Sequence, residues 1–454
     1  WTASPASLEM MARAQQDALP PSFQQEQHLR TAFRAKADGR TVPRLIMASW
    51  DVDGWCDVAA MTDAINVHVR RHDTYHSAFE VNAETITRRT ITDPDSIEFV
   101  PTVLGFMEQD QIRTHTLTAT PNTLEWDCFT FGVIQKADHF TVYANIDHLH
   151  SDGTSATVIY RDIHQTYLAL VAGRSEELPQ TSGYRDFTAR HRLQVEAMTL
   201  DSRPIKDWVD FARDTNGDWP SFPLELGDTS THSAGGVVTV ELLDADESEA
   251  FNSACRAAGA RFSGGAMACA ALAEHHLTGT ETFHGFTPSD TRVGDAQALS
   301  AGWYASLFPV SVPVGGGDFA LTARAAQKSF DANKQMSVAP FQRVLDLATP
   351  EELDITLASK PSMMVSLMDF RTMADADTNR LGIYLDNLSL GGINTWIIRH
   401  ADKTTVTVSF PETPEARHSV HHYIGVLRQA FGDAAELTEQ WGDQFADQAF
   451  AHSA

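Results

Sequence analysis

The sequence predicts an α/β protein, in the form of an α+β sandwich, organised as two domains. Three observations predict it. The chain has 454 residues, more than one ordinary hydrophobic core organises, so two domains of about 200 residues each are expected. Strand and helix patterns mix in both halves. The order strand–helix–strand–helix also recurs loosely in each half, as two similarly folded domains would give.

Taken in order, residues 8–18 have the spacing of a short helix that Pro20 and Pro21 stop. Ser22 is placed to cap a second helix from Phe23, carrying Gln24, Gln25, Glu26, Gln27 and His28. Residues 44–50 read as a buried strand. Residues 57–72 read as an amphipathic helix, with Val58, Met61, Ile65 and Val69 at helical spacing. Residues 78–81 and 87–91 look like a strand pair. Two more strands, 129–134 and 140–146, flank a polar turn at 136–138. A long helix is expected over 155–171. The irregular stretch 181–236, with Pro220 and Pro223, reads as a linker, which leaves 1–180 and 237–454 as the domains. In the second, a strand at 237–243 leads to helices at 247–258 and 264–277, the first closed by Gly259. Further strands are expected at 283–287, 308–313, 363–368, 395–399 and 404–410, the last with alternating Val406 and Val408. A helix pair, 418–430 and 434–450, ends the chain.

Apolar residues make up 43% and charged residues 21%, the profile of a soluble globular protein. Against 34 Lys and Arg stand 60 Asp and Glu, a formal charge of -26. Such a surface repels phosphates, which disfavours nucleic-acid binding and broad adhesion to anionic membranes. Cys56, Cys128, Cys255 and Cys269 lack CxxC spacing and sit among apolar residues, so free buried thiols of a reducing cytosol are expected, with neither a zinc site nor a disulfide scaffold. No run of 18 apolar residues and no signal-peptide pattern is present. A cytoplasmic protein without metal or cofactor is the expectation.

The segment that invites chemistry is Asp147-His148-Leu149-His150-Ser151-Asp152-Gly153, at the end of a strand and the start of a helix. Strand tips on rigid scaffolds commonly present catalytic groups. A histidine there suits general-base work near neutral pH, and Gly153 permits close backbone approach. On spacing alone three readings stand. His148 is a general base; His148 and His150 with the aspartates bind a metal; or the histidines are exposed loop or satisfied core residues. No HExxH-type cluster occurs elsewhere.

This segment resembles the HHxxxDG motif of the condensation-domain superfamily, which includes chloramphenicol acetyltransferase, plant BAHD acyltransferases, peptide-synthetase condensation domains and mycobacterial polyketide-associated (Pap) acyltransferases. Asp147 stands at the first His position, His148 at the catalytic one, and Asp152-Gly153 at the closing pair, with His150 among the variable positions. The resemblance spans nearly the whole chain. Residues 21–30 look like the family's opening motif, Arg70-Arg71-His72-Asp73 like its RHD helix end, Asp290-Thr291-Arg292 like the strand end that supplies an arginine, and 301–309 like the segment before a central strand. Residues 71–77, 127–129, 222–228 and 259–265 look especially close to Pap enzymes that acylate trehalose glycolipids. Two departures stand out: Asp147 replaces the usual His, and the DFGWG signature of plant relatives is absent, with 382–396, including Gly391 and Gly392, in the equivalent region.

The resemblance implies two chloramphenicol-acetyltransferase-like domains forming a V with a channel between them. It implies an O-acyltransferase in which His148 takes the proton of a sugar hydroxyl, trehalose or a derivative, as that hydroxyl attacks an acyl thioester on CoA, an acyl carrier protein or a polyketide synthase. No acyl-enzyme is required. Asp152 is implied to be structural, paired with Arg292, and Asp147 either structural or a group that raises the basicity of His148. Trp303, Tyr304, Ser366 and Trp396 are candidates to line the channel, although Trp303, Trp396 and Met363-Met364 serve equally as core filling. Arg70-Arg71 reads as a solvated helix end, and Gly264-Gly265 as a site of close helix packing rather than phosphate binding. A monomer is expected, and a greasy product is compatible with peripheral contact at the inner membrane face. The competing enzyme reading is a free-standing condensation enzyme joining an acyl group to a carrier-bound acceptor; an inactive docking module would be expected to lack the catalytic His.

Overall fold

A computed structural model of the chain describes residues 1–175, 177–217, 219–229, 235–357, 362–372, 381–386 and 392–451, the side chains of 372 and 438–451 excepted. The chain divides into two compact units. One comprises Trp1–Ala197, Asp290–Ala305 and Arg380–Asp386; the other comprises Met198–Ser289, Ser306–Asn379 and Asn387–Ala454. The units therefore interleave in sequence, and Arg292 belongs to the same unit as the His148 segment.

In the first unit the elements that matter are α1 (Pro5–Ala12), α2 (Phe23–Ala37), β1 (Leu45–Asp53), α3 (Val58–Arg71), β2 (Ser77–Val81), β3 (Ile86–Thr90), α4 (Gln109–Thr118), β4 (Phe129–Gln135), β5 (His139–Asp147), α5 (Gly153–Val171) and α6 (Tyr184–Glu196). In the second they are α7 (Arg203–Thr215), β6 (Gly235–Asp244), α8 (Ala245–Ala257), α9 (Phe262–Thr278), β7 (Thr282–Asp290), β8 (Ala305–Pro313), α10 (Phe319–Asn333), β9 (Met363–Asp369), β11 (Ile393–Arg399), β12 (Lys403–Pro411) and α11 (Pro414–Ala451), while β10 (Gly382–Leu385) returns to the first unit. Helix α1 starts and ends earlier than its apolar spacing suggests. Ser4 caps it and Pro5 takes the first turn, where a missing N–H costs nothing, and residues Gln15–Asp17 leave it to pair with β3. The expected terminal helix pair is one continuous helix, α11.

The sheet of the first unit is antiparallel, in the order β10–β1–β5–β4. Its register puts Ile46, Ala48 and Trp50 of β1 opposite Ile146, Ala144 and Val142 of β5, with Phe129 and Phe131 of β4 beyond. All eight are buried, because alternate residues of a strand share a face. Helix α5 covers that face with Ala156, Ile159, Tyr160 and Ile163, and the Tyr160 ring meets Trp50 edge-on at 5.3 Å. Helix α3 buries Met61, Ala64, Ile65, His68 and Val69 on one stripe, and Asp57 caps its first N–H groups. Each fully buried large side chain contributes about 1.5–3 kcal/mol. The apolar ones of these two helices share one buried core with Phe140, Val142, Ala144 and Ile146 of β5.

The second unit holds a six-stranded sheet, β8–β7–β9–β11–β12–β6. Val406 and Val408 of β12 face Val240 and Val238 of β6. Helices α8, α9 and α10 cover it through a core that includes Phe251, Cys255, Met267 and Phe308. Cys128, Cys255 and Cys269 are buried and Cys56 half-buried, all as free thiols. Among the described residues no helix is long and apolar enough to cross a membrane.

Gly265 is where α8 and α9 approach: a Cβ there would lie 2.1 Å from Cys255 Sγ and 3.2 Å from Phe251. Gly425, in α11, would meet nothing within 4 Å. Gly265→Ala is therefore expected to lower stability by about 1–2 kcal/mol, overpacking outweighing the gain in helix propensity. Gly425→Ala is expected to raise it by about 0.5–1 kcal/mol. Denaturant unfolding of both variants measures this, and equal effects at the two sites would refute it.

Candidate active site

Strand β5 ends at Asp147, and the chain turns through one 3₁₀ turn, His148–His150, before α5 begins at Gly153. The His148 N–H donates to Arg44 O at 2.6 Å, one residue past the β1–β5 ladder, so the turn starts from a fixed strand end. The His148 ring is half-buried and stacks on Trp303, centroids 3.7 Å apart and planes 32° apart. Its Nδ1 is enclosed without a side-chain partner and neighbours its own main-chain carbonyl. A proton on Nδ1, toward that carbonyl, leaves the lone pair on Nε2. Burial holds the His148 pKa down to about 4, with nearby His28 lowering it further against Asp152 and Asp147. The ring is therefore neutral at pH 7.

Asp147 is fully buried and turned toward α2 rather than toward His148. Its Oδ1 accepts from His28 Nε2 at 2.8 Å and from the Leu149 N–H at 3.0 Å; its Oδ2 accepts from Thr123 Oγ1 at 2.7 Å and from Arg44 Nη1 at 3.3 Å. Burial alone would raise its pKa, but His28 and these hydrogen bonds hold it down to about 2. Arg44 continues to the carbonyls of Thr120 and Pro121. Gln25, beside the Ser22 capping box of α2, donates to Leu149 O at 2.8 Å.

Asp152 caps α5 and accepts six hydrogen bonds. Oδ1 takes the N–H and hydroxyl of Ser155, both at 2.9 Å, and Arg292 Nη2 at 3.0 Å; Oδ2 takes Arg292 Nη1 at 2.9 Å and the N–H groups of Tyr304 and Ala305 at 2.9 and 3.1 Å. Arg292 also donates to the carbonyls of Ser300 and Gly302 and lies 4.1 Å over the Tyr304 ring. Both side chains of the pair are buried. Burial would raise the Asp152 pKa, yet Arg292 holds it below its ordinary value, and the Arg292 pKa is raised in turn. Gly302, at φ +150°, runs so close to Tyr184 that a Cβ would sit 2.4 Å from its ring, and Tyr184 Oη donates to Trp303 O. The pair thus fixes the stretch that carries Trp303. Gly153 is simply the first residue of α5, and its φ is not positive.

Behind the turn, His68 Nδ1, His72 Nε2 and Asp162 Oδ2 lie within 4.8 Å of one another, all buried. Their protons are already committed. The Ala301 N–H donates to His72 Nδ1, so His72 Nε2 carries its proton to Asp162 at 2.7 Å. His68 reaches the same carboxylate at 3.3 Å and the Tyr75 hydroxyl at 3.2 Å, and Arg71 Nε lies 3.2 Å from it. A cation would compete with Arg71, and the cluster reads as a hydrogen-bond network tying α3 to α5. Arg71 is accordingly no solvated helix end, and Arg70 donates to Ile97 O.

His150 is buried, bonded to Thr74 Oγ1 at 3.2 Å and packed on Tyr75 and Phe129. Tyr304 is fully buried against Tyr184 and Phe187, with its hydroxyl on Ser300. Ser366 and Trp396 face each other across β9 and β11 in the second unit, Ser366 buried and Trp396 half-buried. Met363 is core. Gly391 lies outside the described residues, and the β10 strand before it pairs with β1, where Asp386 accepts from the N–H groups of Arg44 and Leu45. The residue that sequence reasoning left in its helix without a role is His28. Its only sequence signal is a polar side chain at α2 spacing, and its partner lies 119 positions away.

Two outcomes follow from this geometry. Arg292→Ala, leaving Asp152 buried and unpaired, is expected to cost about 3–5 kcal/mol in denaturant unfolding; a loss below 1 kcal/mol would refute the role of the pair. Burial also holds His72 and His150 at pKa values of about 4. Above the unfolded value of about 6.5 both are neutral in either state and their contribution is complete. As pH falls from about 6.5 to 4 the unfolded chain binds protons that the fold refuses. Stability should then drop by up to about 1.4 kcal/mol per pH unit for each histidine and level off, as far as these groups go, below 4. A flat unfolding midpoint across that window would contradict it.

Comparisons with known proteins place the chain among its relatives. The condensation-domain family model matches residues 15–357. The chain is 39% identical over 449 residues to the acyltransferase PapA3 of Mycobacterium tuberculosis, covering 97% of this chain and 94% of that one. It is 43% identical over 445 residues to the trehalose-2-sulfate acyltransferase PapA2 of the same organism, covering 96% and 94%. The solved structure of PapA2 acyl transferase superposes with a TM-score of 0.89 at 42% identity, covering 96% of both chains. A buried Asp–Arg lock behind a strand-end histidine, in a chain alike from end to end, leads to one conclusion: this protein belongs to the condensation-domain family and is an acyltransferase of its Pap group.

Proposed function

We propose that the protein transfers an acyl group from a thioester, on CoA or a carrier protein, to a hydroxyl of trehalose or a trehalose derivative, with His148 as general base. The observation that carries this reading is the neutral, half-buried His148 imidazole stacked on Trp303 at a locked strand end. The acceptor follows from the PapA2 relative, named for trehalose-2-sulfate.

In the reaction, His148 Nε2 takes the acceptor proton as its oxygen forms the bond to the thioester carbonyl. With a pKa near 4 the imidazole is a weak base, so proton transfer accompanies C–O bond formation rather than preceding it. The imidazolium that results is stabilised by Asp152 and Asp147, the two carboxylates that favour its charge. N–H groups at the start of α5, around Gly153, supply donors for the carbonyl oxygen as it becomes an oxyanion. Collapse breaks the C–S bond, and the proton returns from His148 to the departing thiolate. Charges balance without a covalent acyl-enzyme.

Mass spectrometry of products from acyl-CoA with trehalose or its 2-sulfate tests the reading. His148→Ala should lower turnover by about 10²–10⁴-fold with the fold intact, and undiminished turnover would overturn the assignment. The acid limb of wild-type kcat/KM should lie nearer pH 4 than 6.5, because the free-enzyme base ionises there.

A further inference from the structure

His28 stands beside the base without a part in the chemistry above. Its ring centroid lies 6.4 Å from that of His148, and it packs against Trp303 in an edge-to-face contact at 5.5 Å, so the two imidazoles and the indole form one cluster. Asp147 settles its tautomer. That carboxylate is ionised and accepts only, so the 2.8 Å contact to His28 Nε2 is an N–H donation. Nδ1 is left with the lone pair and makes no hydrogen bond among the described residues. One turn earlier on the same face of α2, Gln24 Oε1 is buried, also without a hydrogen-bond partner. Two acceptor atoms on one helix face next to a general base call for a ligand rich in O–H donors.

We infer that His28, held by Asp147, forms an acceptor subsite: its Nδ1 accepts a hydrogen bond from a second hydroxyl of the polyol whose first hydroxyl His148 deprotonates. This rests on the acyl-transfer reading above and deepens it. It also gives Asp147 a task that a His there would not perform in the same way. An acid at the end of β5 accepts four hydrogen bonds at once and orients the neighbouring imidazole, as carboxylates do for ligand histidines elsewhere. With two hydroxyls engaged, the sugar is held in one rotation over Trp303, and the subsite selects which hydroxyl reaches His148.

The experiment uses the full chain with a fixed acyl-CoA and three acceptor sets: trehalose, trehalose 2-sulfate, and monodeoxy analogues of whichever the wild type acylates. His28→Phe keeps the packing on Trp303 and removes both hydrogen bonds; His28→Gln can donate to Asp147 and offer an oxygen in place of Nδ1. His28→Phe is expected to lower kcat/KM for the acceptor about five- to tenfold, with the donor KM unchanged, and His28→Gln to recover most of that loss. One monodeoxy acceptor should cost the wild type a similar factor and cost His28→Phe nothing more, the non-additivity of a direct contact. Strictly additive losses for every deoxy acceptor would overturn the subsite, as would a His28→Gln enzyme no better than His28→Phe together with a raised donor KM, the mark of a purely structural residue. Wild-type transfer with either result overturns this inference alone. Absence of wild-type transfer to any of the sugars overturns the parent reading and this one with it.

Discussion

Arg292 holds Asp152 by two hydrogen bonds of 2.9 and 3.0 Å out of contact with water, and the rest of the site depends on that pair. Asp152 starts α5 through Ser155, so it sets where the turn carrying His148 must end. It also accepts the N–H groups of Tyr304 and Ala305, while Arg292 takes the carbonyls of Ser300 and Gly302. The stretch 300–305 is therefore pinned to the start of α5 at both backbone polarities, and Trp303 is delivered onto the His148 ring. A buried ion pair is a poor source of net stability, because desolvation offsets its attraction. Its value here is positional: neither carboxylate oxygen has a spare bond with which to accept a different arrangement.

The two aspartates of the motif divide the work by the direction they face. Asp152 looks along α5 to Arg292 and fixes the loop. Asp147, five residues earlier, looks back to α2 and ties His28, Arg44 and Thr123 to the strand end. Between them His148 is left with neither as a hydrogen-bond partner. That is why burial dominates its proton affinity and keeps it unprotonated at neutral pH, while both carboxylates remain close enough to favour the cation it becomes.

Much of this was legible in the sequence where local pattern and function coincide. The apolar stripe of α3, the alternation along β5, the Ser22 cap and the break before Gly153 are each written in neighbouring residues, whereas spacing alone left His148 open to three readings and the role of Asp152 came from family resemblance. Arg292 was legible only through family resemblance, since nothing in Asp290-Thr291-Arg292 points 140 positions back. What stayed hidden was what depends on tertiary approach. His28 looks like any polar residue of an amphipathic helix until Asp147 arrives beside it. His68 lies on the buried stripe of α3, which was a signal that it has a partner, but the partner, Asp162, sits on another helix. The interleaving of the two units was hidden for the same reason: β10 joins β1 by backbone hydrogen bonds, which carry no side-chain signature.

Asp147 is where these levels meet. From the motif alone it is a substitution in a position usually held by His, and it invites the idea of a carboxylate acting on the adjacent base. Geometry points elsewhere. The strand's end directs the side chain at 147 away from the ring at 148, and four donors already occupy the carboxylate. An acid so fully engaged raises the His148 pKa less than burial and His28 lower it. Its charge favours the His148 cation directly, while its hydrogen bonds act on the surroundings of that ring, through the imidazole of His28 that it orients beside Trp303. Asp147 therefore shapes the surroundings of the His148 ring and takes no hydrogen bond from the ring itself.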